Sequence, residues 1–170
     1  PEIIIVDSGS TDATVSIASR YPVKILSITP EEFSFGRALN IGCRAATGDI
    51  IVIASAHVYP LYFDWLENLL TPFERPEVAL VYGQQRGNEI TKYSEHQVFA
   101  KWFPDIPDYN QTHPFCNNAN AAIRRLLWEK LPYDETLTGL EDLDWAQRIQ
   151  KLGYKIVYEP EAPIVHLHDE

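Results

Sequence analysis

The chain has 170 residues, with 14 Lys or Arg against 24 Asp or Glu and a formal net charge of -10. That length suits one domain with a substantial core, and that charge repels a phosphate backbone, which argues against nucleic acid as a partner. Two isolated cysteines make neither a zinc knuckle nor a disulfide framework, and no run reaches about 18 apolar residues, so a reducing, cytoplasmic setting without a membrane-spanning segment is the expectation.

The chain opens at Pro1 directly into a strand, Glu2 to Val6, and contains no Met; it reads as a piece of a longer protein. Asp7 to Asp12 (DSGSTD) follows as a turn of small polar residues, in which Ser10 or Thr11 can cap the next helix. That helix runs to about Arg20, with Val15, Ile17 and Ala18 expected to face inward, and Pro22 stops it. Val23 to Ile28 completes a β-α-β unit with the usual right-handed crossover. A second helix, about Gly36 to Ala46, carries Leu39, Gly42, Cys43 and Ala46 on a narrow face able to approach a sheet closely. Arg37 lies in its first turn, where the helix dipole disfavours a cation; it is either a surface residue or one turned toward an anionic ligand.

Gly48 leads into five apolar residues, Ile50 to Ala54. A short run bounded this way predicts a strand buried on both faces. It breaks into Ser55-Ala56-His57 and closes at Pro60. Open α/β sheets hold ligands at the carboxyl ends of their strands, which makes His57 a candidate ligand. Asp64 to Leu70 predicts a helix, Val78 to Tyr82 a strand, and Ser94 to Trp102 a helix whose Val98, Phe99 and Trp102 stripe is for packing. Phe103 to Phe115 is an irregular loop with three prolines, a place where acceptor choice could reside. Asn117 to Arg125 predicts a short strand entering a helix. The last strong helix starts at Thr138-Gly-Leu-Glu-Asp-Leu-Asp-Trp145 and ends near Gly153, with Trp145, Ile149 and Leu152 on its apolar face. Lys155 to Tyr158 and Ile164 to His166 are the final strands.

Glu141, Asp142 and Asp144 crowd one helix start. Mutual repulsion in a partly buried site raises at least one carboxyl pKa, as a general base near neutral pH requires. His57, His166 and His168 all follow strand segments, and two of them could converge on one metal. Imidazole ligands favour Mn²⁺ over Mg²⁺.

The chain resembles the family-2 inverting glycosyltransferases of the GT-A fold. The resemblance is carried by EIIIVDSGSTD, GRALNIG with its following TGD, the strand-end position, NNANAAIRR with LPYDE after it, and GLEDLDW. It implies a single catalytic domain over 1–170 with a Rossmann-like, mixed, mostly parallel sheet flanked by helices, the family's first strand preceding Pro1. It also implies transfer of a sugar from a nucleotide-diphosphate donor to an acceptor hydroxyl, on a carbohydrate or a lipid-linked carrier. By this resemblance Asp7, with Ser8, contacts the base or ribose, Arg37 lies beside the base or diphosphate, and Asp142, paired with Glu141, is the catalytic base.

The family's Asp-x-Asp strand end is here Ser55-Ala56-His57. A related branch uses Asp-x-His with a distant His, which implies a metal on His57 and His166, with His168 as runner-up and Ser55 near the donor; the same change also allows a weak or metal-free site. The rival reading is a degenerate domain that binds nucleotide sugar or a partner protein without turnover. Attachment at the inner face of the membrane through other parts of the chain is compatible with either.

Overall fold

A computed structural model describes residues 1–167. The elements follow in the order β1 (Ile4–Asp7), α1 (Thr14–Ala18), β2 (Lys24–Ser27), α2 (Phe35–Ala45), β3 (Ile50–Ala54), β4 (Val58–Pro60), α3 (Trp65–Leu70), β5 (Val78–Arg86), α4 (Tyr93–Trp102), β6 (Asn120–Arg124), α5 (Arg125–Lys130), α6 (Glu141–Lys151) and β7 (Lys155–His166). β1 and β2 form a parallel pair, and five strands form a second sheet in the order β3-β6-β5-β7-β4.

The mixed α/β architecture is as expected, but the larger sheet is not mostly parallel. β5 and β7 run parallel, whereas β3–β6, β5–β6 and β4–β7 are antiparallel. The reason lies in the connections. After β5 the chain passes through α4 and the 103–119 segment and re-enters at the same end of the sheet, where Ala121 pairs with Tyr82. A crossover that returned to the opposite end would have given a parallel partner.

Alternation along the strands divides the core in two. Leu80, Tyr82, Ala121, Ile123, Ile156 and Tyr158 face one way, and Cys43, Phe99, Trp128, Trp145 and Ile149 from the covering helices join them. Val78, Val81, Ala122 and Val157 face the other way and pack under Leu69 and Phe73. α2 lies on β1 through its small residues: a Cβ on Gly42 would come within 3.3 Å of Val6 Cγ2.

Further expectations are corrected. β3 is an edge strand of its sheet, and only Ile51 within it is buried. α1 has no buried residue; Val15 and Ile17 are exposed because no described element covers that side. α1 also has no Ser10 or Thr11 cap; instead Asp12 Oδ1 accepts from the Thr14 N–H at 2.9 Å. Leu152 lies just past the end of α6 and is exposed. The two final strands are joined in one, β7, whose register against β5 jumps between Glu159 and Ile164. Pro160 and Pro163 lie in that jump, where a residue without an N–H donor breaks no ladder bond.

Candidate active site

The end of β3 and the start of β4 place His57. The turn Ser55-Ala56-His57 reverses the chain, with the Val58 N–H donating to the Ser55 carbonyl at 3.4 Å. β4 then pairs with the last strand, Val58 opposite His166, and the Leu167 N–H donates to the His57 carbonyl at 3.1 Å. This register brings the two histidines together from opposite ends of the chain, with ring centroids 4.7 Å apart and planes tilted by 31°. His57 is exposed and His166 buried. The His166 ring also lies 6.1 Å from that of Phe99 on α4 and makes a 2.7 Å hydrogen bond with Gln85 Oε1. His168 lies outside the described residues.

The acid cluster stands at the same end of the sheet. Ala54 pairs with Asn120, the Ser55 N–H donates to the Ala119 carbonyl at 3.4 Å, and the Asn118 N–H donates to Asp142 Oδ2 at 3.4 Å. Three consecutive residues thus link the β3 terminus to the start of α6. The face is shared too, because Phe99, against His166, belongs to the same core as Trp145 of α6.

Asp142 is half-buried and also accepts from the Leu143 N–H at 2.8 Å. Burial, more than these bonds, sets its pKa, which is raised above the ordinary aspartate value. The neighbouring Glu141 is buried and raised as well, first by burial and then by the charge of Asp142. Desolvation, rather than crowding of three acids, is therefore the main cause. Asp144 is ion-paired to Arg148 at 2.8 Å. Leu140, just before the cluster, has φ 63°, a left-handed backbone that a branched side chain adopts only at a cost.

Asp7 ends β1 and is largely buried. Its carboxylate accepts from the Gly9 N–H at 3.1 Å and from the Ser10 N–H at 3.2 Å. Hydrogen bonding from Ser10, then from Gly9, outweighs burial and holds its pKa below the usual range. Ser8 is exposed on the same turn, and Gly9 has φ 92°. Arg37 donates from Nε to Glu135 Oε2 at 3.0 Å, tying α2 to the segment after α5. Ser34 caps that helix by accepting from the Arg37 N–H at 3.2 Å.

Gln85 and the Asn118 N–H escape a reading of the sequence. The one hint of Gln85 is polar residues continuing an apolar strand, VALVYGQQR. Beside Gln85 opens a cleft of about 590 Å³, lined also by Arg86, His96, Phe99 and, from the proline-rich loop, Asp105.

The spacing of the histidine rings is compatible with one divalent ion shared between them. An ion about 2.1 Å from each ring nitrogen lies roughly 3.2 Å from each centroid, so two imidazoles at a right angle are about 4.5 Å apart, against the 4.7 Å found. Among the described residues no group of three or more His, Cys, Asp or Glu could hold a metal by itself.

This fold is that of the GT-A glycosyltransferases. The mannosyltransferase PcManGT of Pyrobaculum calidifontis, in complex with GDP-Man and Mn²⁺, matches with a TM-score of 0.72 at 25% identity, over 97% of this chain and 47% of that one. GalNAc-T7, with UDP, GalNAc and Mn²⁺, matches with a TM-score of 0.74 at 18% identity, over 98% and 38%, and shares the fold alone. Residues 1–131 match the model of glycosyl transferase family 2, and the chain belongs to that family. It is 32% identical to the O-antigen chain rhamnosyltransferase WbaN of Salmonella anatum and 28% identical to the glucosyl-3-phosphoglycerate synthase of Petrotoga mobilis, over 99% of its length in each case. The chain spans 57% and 56% of those relatives.

Proposed function

We propose that the chain carries the catalytic centre of an inverting glycosyltransferase. A sugar passes from a nucleotide-diphosphate donor to an acceptor hydroxyl in a single displacement. Asp142 takes the proton of that hydroxyl as its oxygen attacks the anomeric carbon, and the nucleoside diphosphate leaves with the bonding electrons. The observation that carries this reading is a half-buried carboxylate with a raised pKa, held at the same end and face of the sheet as the histidine pair. Glu141 beside it keeps the site acidic and is itself desolvated.

Asp7, ionised and fixed by its turn, and Ser8 hold the nucleoside. Arg37 and Ser55 border the donor. His57 and His166 hold a divalent cation, Mn²⁺ in preference to Mg²⁺ because the ligands are imidazoles. When bound, the cation offsets the charge that develops on the departing diphosphate. The acceptor enters by the cleft beside Arg86 and Asp105, and the likeness to a rhamnosyltransferase of O-antigen chains supports a polysaccharide chain as that acceptor. Among the described residues no helix is long and apolar enough to cross a membrane. Contact with a membrane surface through other parts of the protein accommodates a lipid-linked acceptor.

One observation favours the rival reading of a binding domain without turnover: the protein supplies two close metal ligands and no third acidic or thiol partner among the described residues. Transfer and donor-binding assays on the intact protein separate the two. Asp142→Asn should reduce transfer about 10²- to 10⁴-fold and leave donor affinity nearly intact. Wild-type protein that binds donor but transfers nothing would establish the rival, and an Asp142→Asn variant of normal rate would remove Asp142 from the mechanism.

A further inference from the structure

We propose that Gln85 is the positioning residue for His166: its carboxamide oxygen accepts the Nδ1–H of the imidazole, fixing the tautomer and ring direction in which His166 meets a divalent cation. This rests on the metal reading above. The contact is 2.7 Å between two buried side chains. An amide oxygen can only accept, so Nδ1 carries the hydrogen and the ring's lone pair falls on Nε2. Metal-bound histidines are commonly held this way by an acceptor on the far ring nitrogen, which orients the ring and raises its basicity.

Two further features make Gln85 more than filler in a strand. The register of β5 against β7 shifts between Gly83 and Gln85, and such a bulge re-aims the side chains beyond it. Gln84 bonds the Phe103 carbonyl and Asp105, while Gln85 is directed to His166. Moreover, Gln85 Nε2 is buried with no hydrogen-bond partner among the described residues. A half-satisfied buried amide is worse for stability than an apolar side chain of the same size. Its presence is explained by what its oxygen does for His166.

The test uses the intact protein with Mn²⁺ alone as probe. Ring ¹⁵N shifts of His166, read by NMR on the metal-free protein, report the tautomer, and loss of the free-ion electron paramagnetic resonance signal reports Mn²⁺ binding. Wild type should show a protonated Nδ1. Gln85→Met, similar in shape but without an acceptor, should lose that preference and bind Mn²⁺ about 10- to 100-fold more weakly. Gln85→Glu, which keeps an acceptor, should retain the tautomer and bind at least as tightly as wild type; it decides the matter alone if Gln85→Met does not fold.

Wild type with the proton on Nε2, or Gln85→Met with unchanged shifts and affinity, overturns the proposal, as does Gln85→Glu that folds but binds as weakly as Gln85→Met. Wild type that shows the expected tautomer yet takes up no Mn²⁺ overturns the metal reading beneath it, and the proposal with it.

Discussion

Asn40 on α2 is the node that holds the floor of the site, and removing it should unravel more than its size suggests. Its side chain is 2% exposed and fully bonded. Nδ2 donates to the Tyr133 carbonyl at 2.9 Å and to Glu135 Oε1 at 3.0 Å; Oδ1 accepts from Trp128 Nε1 at 2.9 Å and from the Tyr133 N–H at 3.0 Å. Asn40→Ala strands three buried groups: the indole N–H and the N–H and carbonyl of Tyr133. The partly exposed Glu135 carboxylate regains water.

At roughly 1–3 kcal/mol for each stranded group, and allowing for water entering the polar void, the loss should be about 3–5 kcal/mol. Urea unfolding of the intact protein, with the slope unchanged, measures it. Trp128→Phe removes one of these donors, and combining it with Asn40→Ala should cost about 1 kcal/mol less than the sum of the two. An Asn40→Ala protein within 1 kcal/mol of wild type, or strictly additive variants, would show that this network does not bear on stability. Because the Tyr133 ring lies 5.8 Å from that of Trp145 on α6, a loosened node should also slow transfer.

Burial favours the protonated form of Asp142 in the folded state, so the folded protein binds that proton more tightly than the unfolded chain does. Its contribution to stability therefore falls as pH rises from the unfolded value, about 3.9, through the raised folded value, and the cost is complete above it. Asp142→Asn should be more stable than wild type at pH 7, by a margin that shrinks toward acid in denaturant titrations; an Asn variant less stable at pH 7 contradicts this. For transfer the sign is opposite: activity should rise with pH along an acid limb whose midpoint lies above the ordinary aspartate value. Gly83→Ala puts a methyl inside contact distance of the Ala162 carbonyl oxygen and the Asn120 amide, both fixed in the core. It should cost about 3 kcal/mol or more, seen as a fall in Tm, and a Tm within a degree of wild type refutes the packing argument. Chelation of divalent cations should stop transfer, with Mn²⁺ restoring more of it than Mg²⁺; full activity in chelator contradicts a role for metal.

The strongly patterned parts of the sequence predict their own structure. α2 and α6 carry apolar faces at helical spacing, and their ends fall where Ser34 and Gly153 place them. The apolar core of β5 is legible, but its extension through Gln84 and Gln85 is not, because two amides signal surface unless their partners, on a loop and on the last strand, are known. Strand direction is equally hidden: nothing in the residues of β6 says that the long excursion before it ends where it began. The burial of β3 is overestimated for a related reason, since composition cannot say which edge of a strand finds a neighbour. At the site, the carboxylates at the start of α6 stand out through their density, yet the cause of their raised pKa is burial, which local spacing does not reveal. The approach of His57 to His166 depends on β4, a three-residue strand that no pattern announces, pairing with the far end of the chain.

Anomalous diffraction at the manganese edge, from crystals of the intact protein soaked with Mn²⁺ and a nucleoside diphosphate, is the most direct measurement of whether the histidine pair and Asp142 serve one reaction centre. The account predicts a single strong peak in contact with both imidazoles and with the diphosphate, and an open path from there to the Asp142 carboxylate. Manganese bound away from the pair, or a diphosphate seated at the opposite end of the sheet, would contradict it.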